Sequence, residues 1–113
     1  MKVVKKSQSK RFKNSDKCTA YEYPLNDKDI NGSVIKIAGR YPDNGSVMNE
    51  VCKELAFVLS GTVTLNADGK KVKLEKGDEV LIEPGEKYYW DGKCKLFIVC
   101  TPAWYPKQHR EVN

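Results

Sequence analysis

Apolar residues recur along the chain in short runs, many of them alternating with polar residues, and no window places them at helical spacing over three turns. The runs are rich in β-branched and aromatic residues, which favour strands. Residues 62–65 and 71–74 form one predicted hairpin around Asp68 and Gly69, with an apolar face on each strand. The same pattern predicts further strands at residues 33–38, 54–59, 79–82, 88–90 and 95–100.

Turn residues separate these runs. Ser60-Gly61 and Asp91-Gly92 predict breaks between neighbouring strands, and Pro84-Gly85 predicts a corner. Several short strands at spacings of about ten residues, without helices between them, indicate an all-β sandwich or barrel. A closed barrel also removes the exposed sheet edges that short strands otherwise present.

The length of 113 residues fits one domain, residues 1–113, with a barrel core at about residues 20–101. The polar residues 1 to about 15 are expected to be loose or to add an edge strand. Residues 102–113 leave the strand pattern and carry Trp104 and Tyr105 between two prolines. They are predicted to form an extended arm that contacts the barrel or a partner.

Composition narrows the possible partners. Hydrophobic residues make up 40% and charged residues 31%, which is a globular profile. The net charge of +5 comes from lysines scattered along the chain without interleaved aromatics, so no nucleic-acid partner is expected. No apolar run approaches the ~20 residues of a membrane span, and no apolar segment follows the basic start, so no membrane partner and a cytoplasmic location are expected. Four cysteines without CxxC spacing are too few for a disulfide scaffold.

Two segments carry a family resemblance. Glu54 and Gly61 match the glutamate and glycine that end the first motif of small single-domain cupins, and Gly77 and Gly85 match two glycines of the second motif. The chain therefore resembles a small cupin over about residues 33–101. The resemblance implies an antiparallel cupin-type β-barrel, also described as a double-stranded β-helix or jelly roll.

The sequence departs from the family at its metal ligands. The two histidines of the first motif fall at Val47 and Asn49 in one alignment and at Met48 and Glu50 in the other. The third histidine, from the second motif, falls at Tyr88. Of the family's three histidines and one glutamate, only the glutamate, Glu54, remains. No cofactor is expected and no metal-ligand residue is assigned. A divalent metal is possible only through an atypical set that includes Glu50, Cys52 or the single histidine, His109.

By the resemblance, Asn49, Glu54 and Tyr88 point into the barrel. Strand alternation then places Trp90 on the same face as Tyr88. Lys36 and Arg40 share a parity, and either can reach the cavity or the outer surface. The candidate ligand-binding residues are Asn49, Glu54, Tyr88, Trp90 and Arg40, and the candidate catalytic residues are Glu54 as base and Tyr88 as acid.

Each of these residues also has a structural interpretation. Tyr88 and Trp90 can be barrel core, with their polar ends satisfied locally. A buried carboxylate is costly unless it is paired, so Glu54 can instead form a salt bridge with Lys36 or Arg40.

Three functions follow from the sequence. The leading hypothesis is a cupin that binds a small polar ligand, a sugar or an organic acid, without the three-histidine metal site. The second is a metal-dependent enzyme of dioxygenase or isomerase type with an atypical ligand set. The third is a non-catalytic interaction barrel, suggested by the aromatic arm. The resemblance to cupins, which commonly dimerise, implies a homodimer, and outer strand faces rich in leucine and phenylalanine suit one.

Overall fold

A computed structural model describes residues 1–113 and contains nine β-strands and two short 3-10 turns, Lys6–Gln8 and Pro106–Gln108. All strand pairs are antiparallel. The strands are β1 (Lys10–Ser15), β2 (Cys18–Tyr23), β3 (Asn31–Tyr41), β4 (Ser46–Asn49), β5 (Lys53–Ala67), β6 (Lys70–Glu75), β7 (Glu79–Ile82), β8 (Tyr88–Thr101) and β9 (His109–Val112).

Strand β8 joins the two parts of the curled sheet. One of its edges pairs with β3 from Asn31↔Cys100 to Tyr41↔Trp90. Its other edge pairs with β5 from Lys53↔Thr101 to Ala67↔Tyr88. Strands β6 and β7 pair with the two ends of β5, and β2 and β1 continue the sheet beyond β3. This curled, antiparallel arrangement confirms the predicted all-β fold class.

Strands β4 and β9 form a separate two-stranded ribbon. They pair at four positions, from Ser46↔Val112 to Asn49↔His109. The ribbon joins β8 through the single register pair Val47↔Tyr88. Residues after Pro102 therefore include a strand as well as an extended segment, which the sequence pattern did not indicate.

The strand breaks predicted at Ser60-Gly61 and Asp91-Gly92 are wrong, because β5 and β8 each continue through these positions. The register shifts between Val58 and Ser60, which is a bulge in β5. Gly61 and Gly92 have φ angles of +80° and +154°. A Cβ atom on Gly92 would lie 2.6 Å from the Thr62 carbonyl oxygen, and one on Gly61 would also overlap the β8 backbone. The two glycines therefore allow β5 and β8 to approach closely where they bend.

The core lies inside the curled sheet and follows the alternation of each strand. On β8 the even-numbered residues from Tyr88 to Cys100 point inward, except at the bend around Gly92. On β5 the inward parity changes across the bulge, from Ala56 and Val58 to Val63 and Leu65. All four cysteines are buried and free. None of the helical segments has the length and apolar character that crossing a bilayer requires.

Candidate functional site

A cavity of about 170 Å³ opens within the barrel. Its wall contains two carboxyl groups, Glu22 and Glu54, and no lysine or arginine. The remaining lining is apolar, aromatic or neutral and polar, and it comes from β1–β3, β5, β8 and the C-terminal segment: Asn14, Cys18, Ala20, Asn31, Ser33, Ile35, Ile37, Tyr41, Tyr88, Trp90, Ile98, Cys100, Trp104 and His109. An apolar and aromatic cavity with a few converging polar groups is typical of a small-molecule site.

Glu54 is the most unusual group in this wall. It lies on β5 between Ile82 of β7 and Cys100 of β8, and only 6% of its surface is exposed. Asn49 Nδ2 donates a hydrogen bond to Glu54 Oε1 at 3.3 Å. The Tyr88 hydroxyl lies 3.5 Å from both carboxylate oxygens, at the long limit of a hydrogen bond, and Cys100 Sγ lies 3.9 Å from Oε1.

No cation pairs with Glu54, so neither salt bridge considered from the sequence is formed. Lys36 Nζ lies over the Tyr21 ring, 5.1 Å from its centroid. Burial raises the pKa of Glu54 to about 7, although its hydrogen bonds from Asn49, Tyr88 and Cys100 act in the opposite direction. The carboxyl group is therefore suited to both giving and taking a proton near neutral pH.

Tyr88 and Trp90 lie together on the inner face of β8. Tyr88 is 3% exposed, and its ring meets that of Trp90 edge to face, with centroids 6.4 Å apart. Burial, together with the nearby Glu54 carboxylate, raises the pKa of Tyr88 well above its ordinary value. Tyr88 is thus a neutral phenol that donates toward Glu54 and faces the cavity.

The C-terminal strand brings His109 to the same site, whereas the sequence suggested His109 only as a member of an atypical metal-ligand set. Its Nδ1 atom lies 2.9 Å from Asn49 Oδ1, and its ring packs against Trp104 with centroids 5.5 Å apart. Gln108 Nε2 donates to the same Asn49 oxygen at 3.0 Å. The sequence signal was slight, because His109 lies outside both motifs in a segment without a strand pattern. Its being the only histidine was the one available hint.

Arg40 lies away from the other predicted ligand-binding residues, whereas Asn49, which does not line the cavity either, contacts Glu54. The inward residues of β3 have odd numbers, from Asn31 to Tyr41, so Arg40 points outward. Its guanidinium lies over the Tyr89 ring, 3.9 Å from the centroid, and donates to the Gly45 carbonyl oxygen at 2.9 Å. We therefore leave Arg40 out of the candidate site, whereas Asn49, Glu54, Tyr88 and Trp90 lie together.

The groups around Glu54 do not fit a transition metal. Burial raises the pKa of Cys100 far above its usual value, so this thiol is protonated, and the Tyr88 phenol is neutral. His109 directs Nδ1 to Asn49, and Glu50 forms an exposed ion pair with Arg110 at 2.9 Å. Burial also raises the pKa of Cys52. No three His, Cys, Asp or Glu side chains are gathered so as to hold a metal ion.

Comparison with known proteins identifies relatives of this fold. The chain is similar to the nucleoside dehydratase Pac13 of Streptomyces, variants of which have been solved with uridine; the TM-score is 0.89 at 16% identity, over 98% of this chain and 90% of that one. For the polyketide cyclase RemF of Streptomyces resistomycificus the TM-score is 0.76 at 16% identity, over 100% and 86%. For an RmlC-like cupin of Shewanella frigidimarina it is 0.71 at 17% identity, over 86% of each chain. At these identities the likeness shows the fold.

A search of curated protein sequences gives no match. The family model of the EutQ-like cupin domain matches residues 34–97, which is more than half of the chain. These residues include both segments that carried the resemblance in the sequence, so the predicted family is confirmed. The chain belongs to the family of EutQ-like cupin domains.

Proposed function

We propose that the chain binds a neutral, hydroxyl-bearing small molecule in the barrel and transfers a proton to or from it. The observation that carries this proposal is the buried carboxyl group of Glu54, which has no cationic partner and faces the cavity. A structural carboxylate is normally paired, since its burial costs several kcal/mol otherwise. A group kept near its protonation midpoint inside a ligand-sized cavity is typical of an acid–base site.

The charge of the wall selects between the two ligand classes considered from the sequence. The acidic residues that line the cavity are Glu22 and Glu54, and no lysine or arginine lines it. A carboxylate or phosphate ligand would enter without a cationic partner and against two acidic groups. A sugar-like ligand needs only hydrogen bonds, which Glu22, Glu54, Asn31 and Tyr88 supply. The wall therefore favours a sugar or nucleoside over an organic acid.

The size of the cavity agrees with a single sugar ring or with one of the two rings of a nucleoside. A volume of about 170 Å³ is slightly more than the ~150 Å³ that accommodates benzene, so the enclosed part holds about one ring. Trp90, Trp104 and Tyr41 add flat apolar surface beside the polar groups. Uridine is a neutral molecule with a sugar ring and a planar base, and its presence in a structure of a variant of the structurally similar Pac13 supports the choice of uridine as a first probe.

In the proposed chemistry Glu54 is the proton-transferring group and Tyr88 is a donor that stabilises developing negative charge. The 3.5 Å separation between the Tyr88 hydroxyl and the carboxylate leaves room for a ligand oxygen to compete for the same donor. Catalytic hydrogen bonds are often long without ligand and shorten when it binds. This proposal covers the reaction type, a proton transfer such as isomerisation or elimination, without a metal.

Calorimetry with uridine, ribose and succinate at pH 7 tests the binding. Uridine or ribose should bind and succinate should not. Glu54→Gln and Tyr88→Phe should weaken binding about tenfold each, because the first replaces an acceptor oxygen of the wall with an amide donor and the second removes a hydroxyl group. Glu50→Gln is the matched control, since Glu50 lies outside the cavity. Binding of succinate alone, or equal affinities in the Glu54 and Glu50 variants, would contradict the proposal. Metal content of the same preparations tests the metal-dependent alternative.

A homodimer and a cytoplasmic location are also part of the proposal. Phe57 and Phe97 are register partners on the outer sheet face and are 38% and 40% exposed, and Leu81 nearby is 48% exposed. Apolar surface of this kind is a common feature of protein interfaces, and it supports pairing of two chains through this face. Sedimentation analysis of the purified chain tests the pairing.

Four free cysteines are consistent with a reducing compartment.

A further inference from the structure

The side-chain network behind the cavity has a defined hydrogen-bond direction. The backbone N–H groups of Val51 and Cys52 lie 3.2 and 3.1 Å from Gln108 Oε1. A backbone N–H group can only donate, so Gln108 Oε1 is the acceptor and the amide cannot be reversed without losing both bonds. Gln108 Nε2 therefore points to Asn49 and donates to its Oδ1 atom at 3.0 Å.

The orientation of the Gln108 amide determines the orientation of the Asn49 amide, which in turn determines the tautomer of His109. Because Asn49 Oδ1 accepts from Gln108, it is a carbonyl oxygen that also accepts from His109 Nδ1 at 2.9 Å. The proton of a neutral His109 ring must then be on Nδ1. The same orientation directs Asn49 Nδ2 to Glu54 Oε1, at 3.3 Å. One buried amide thus fixes the imidazole on one side and contacts the carboxyl group on the other.

The other ring nitrogen of His109 is left with its lone pair. Nε2 makes no hydrogen bond within the protein, and no buried side-chain nitrogen or oxygen lacks a partner, so Nε2 is accessible to solvent. His109 itself lines the cavity, next to Trp104. Burial lowers the pKa of His109, which keeps the ring neutral at pH 7 and the lone pair free.

We propose that His109 Nε2 is a second proton acceptor of the site and that Gln108 and Asn49 are positioning residues that fix its tautomer. This inference rests on the proposed function for the nature of the ligand. A ligand hydroxyl donates to Nε2, and when its O–H bond breaks the proton moves to Nε2, leaving an alkoxide and an imidazolium. Asn49 Oδ1 then accepts from the imidazolium Nδ1–H group. Neither Gln108 nor Asn49 lines the cavity, so both act through His109 and Glu54.

Nitrogen NMR of ¹⁵N-histidine-labelled protein tests the tautomer directly, because the chain has one histidine and gives one pair of ring signals. At pH 8 the wild-type protein should show a protonated Nδ1 and an unprotonated Nε2. The opposite pattern, or an averaged mixture of the two tautomers, would overturn the inference. This measurement needs neither a substrate nor a variant.

Two variants test whether the hydrogen bonds from Gln108 to Asn49 and from His109 to Asn49 set the tautomer of His109. Gln108→Met removes the fixed donor to Asn49, and the ring should change toward the mixture of tautomers of a free histidine. Asn49→Asp keeps an acceptor for His109, so the Nδ1–H tautomer should persist while the pKa of His109 rises beside the new carboxylate. A wild-type tautomer ratio in folded Gln108→Met protein would overturn the positioning role. If that variant does not fold, an unchanged pKa of His109 in Asn49→Asp would overturn it.

Addition of uridine to the labelled protein separates this inference from the proposed function. A hydroxyl that donates to Nε2 should move the Nε2 signal and leave Nδ1 nearly in place. Binding detected by calorimetry without any change at Nε2 would overturn the role of His109 while leaving the binding proposal intact. If the Nδ1–H tautomer is observed but neither uridine nor ribose binds, the proposed ligand would be contradicted. The positioning role of Gln108 and Asn49 would then still hold.

Discussion

The two sides of the cavity are built in different ways. The carboxyl side, with Glu54 and Tyr88, lies on β5 and β8, which pair with each other along almost their whole length. The imidazole side, with Asn49 and His109, lies on a ribbon of four register pairs that joins β8 at one position. A buried carboxyl group must be held among apolar neighbours, and the long ladder of hydrogen bonds between β5 and β8 holds Glu54 there. The imidazole side depends instead on the hydrogen bonds that the Gln108 side chain accepts from the Val51 and Cys52 backbone and donates to Asn49.

The largest expected effect comes from disturbing the long ladder. Gly92→Ala should lower the free energy of unfolding by about 4 kcal/mol, because the new Cβ meets the β5 backbone in addition to the strain of its φ angle. Urea unfolding measures the change. Gly69→Ala is the matched control, since Gly69 also has a positive φ angle but no atom lies within 4 Å of its added Cβ. Equal losses in both variants would show that strand contact at Gly92 has no role.

The next effect concerns the buried carboxyl group and has the opposite sign. The pKa of Glu54 is raised from 4.5 to about 7 in the folded chain, so its contribution to stability is fully present below pH 4.5 and is lost as the pH rises to about 7. Glu54→Gln removes this loss and should make the protein more stable at pH 8, by about 3 kcal/mol at 1.4 kcal/mol per pKa unit.

Urea unfolding of wild type and Glu54→Gln at pH 4, 6 and 8 measures this difference. The two curves should diverge with rising pH, whereas Glu50→Gln should follow the wild type, because Glu50 is in an exposed ion pair. A variant that is equally destabilised at all three pH values would mean that Glu54 is held as a structural group.

The smallest effect on global stability is expected in the ribbon. Arg110→Ala removes the exposed ion pair with Glu50, which links β9 to the residue that follows β4, and should change the free energy of unfolding by less than about 1 kcal/mol. Hydrogen exchange sharpens the comparison. Amides of β9 should exchange faster than those of β8 in the wild type, and faster again in Arg110→Ala, with β8 unchanged. Equal protection of β8 and β9 would remove the distinction between the two sides.

The alternation of apolar residues in β6, β7, β8 and the two halves of β5 was sufficient for the all-β class, and the cupin type came from the two motifs. The sequence was misleading at Gly61 and Gly92, since a glycine that permits two strands to approach and a glycine that ends a strand are the same residue in a local pattern. Only the register of β5 against β8 distinguishes the two situations, and that register is a long-range property.

The candidate site was predictable where it lies on those strands. Asn49, Glu54, Tyr88 and Trp90 came from the motif and from parity, and the structure brings them together. The binding and catalytic roles of these residues stay predictions. His109 was not assigned to the site because it reaches Asn49 through pairing of β4 with β9, and β9 has too few apolar residues to show alternation. For Arg40, parity alone left open which face of β3 is inner, and the structure places this side chain on the outer face.

The distribution of charge between the surface and the cavity has a consequence for how ligands arrive. The chain as a whole carries a net charge of +5, yet its cavity wall has only acidic charged residues. Anions in solution are drawn to the exterior by long-range attraction that salt screens, but they meet unfavourable charge at the wall. A neutral solute experiences neither effect. Its association rate should therefore be set by diffusion and by the size of the opening, and should vary little with ionic strength.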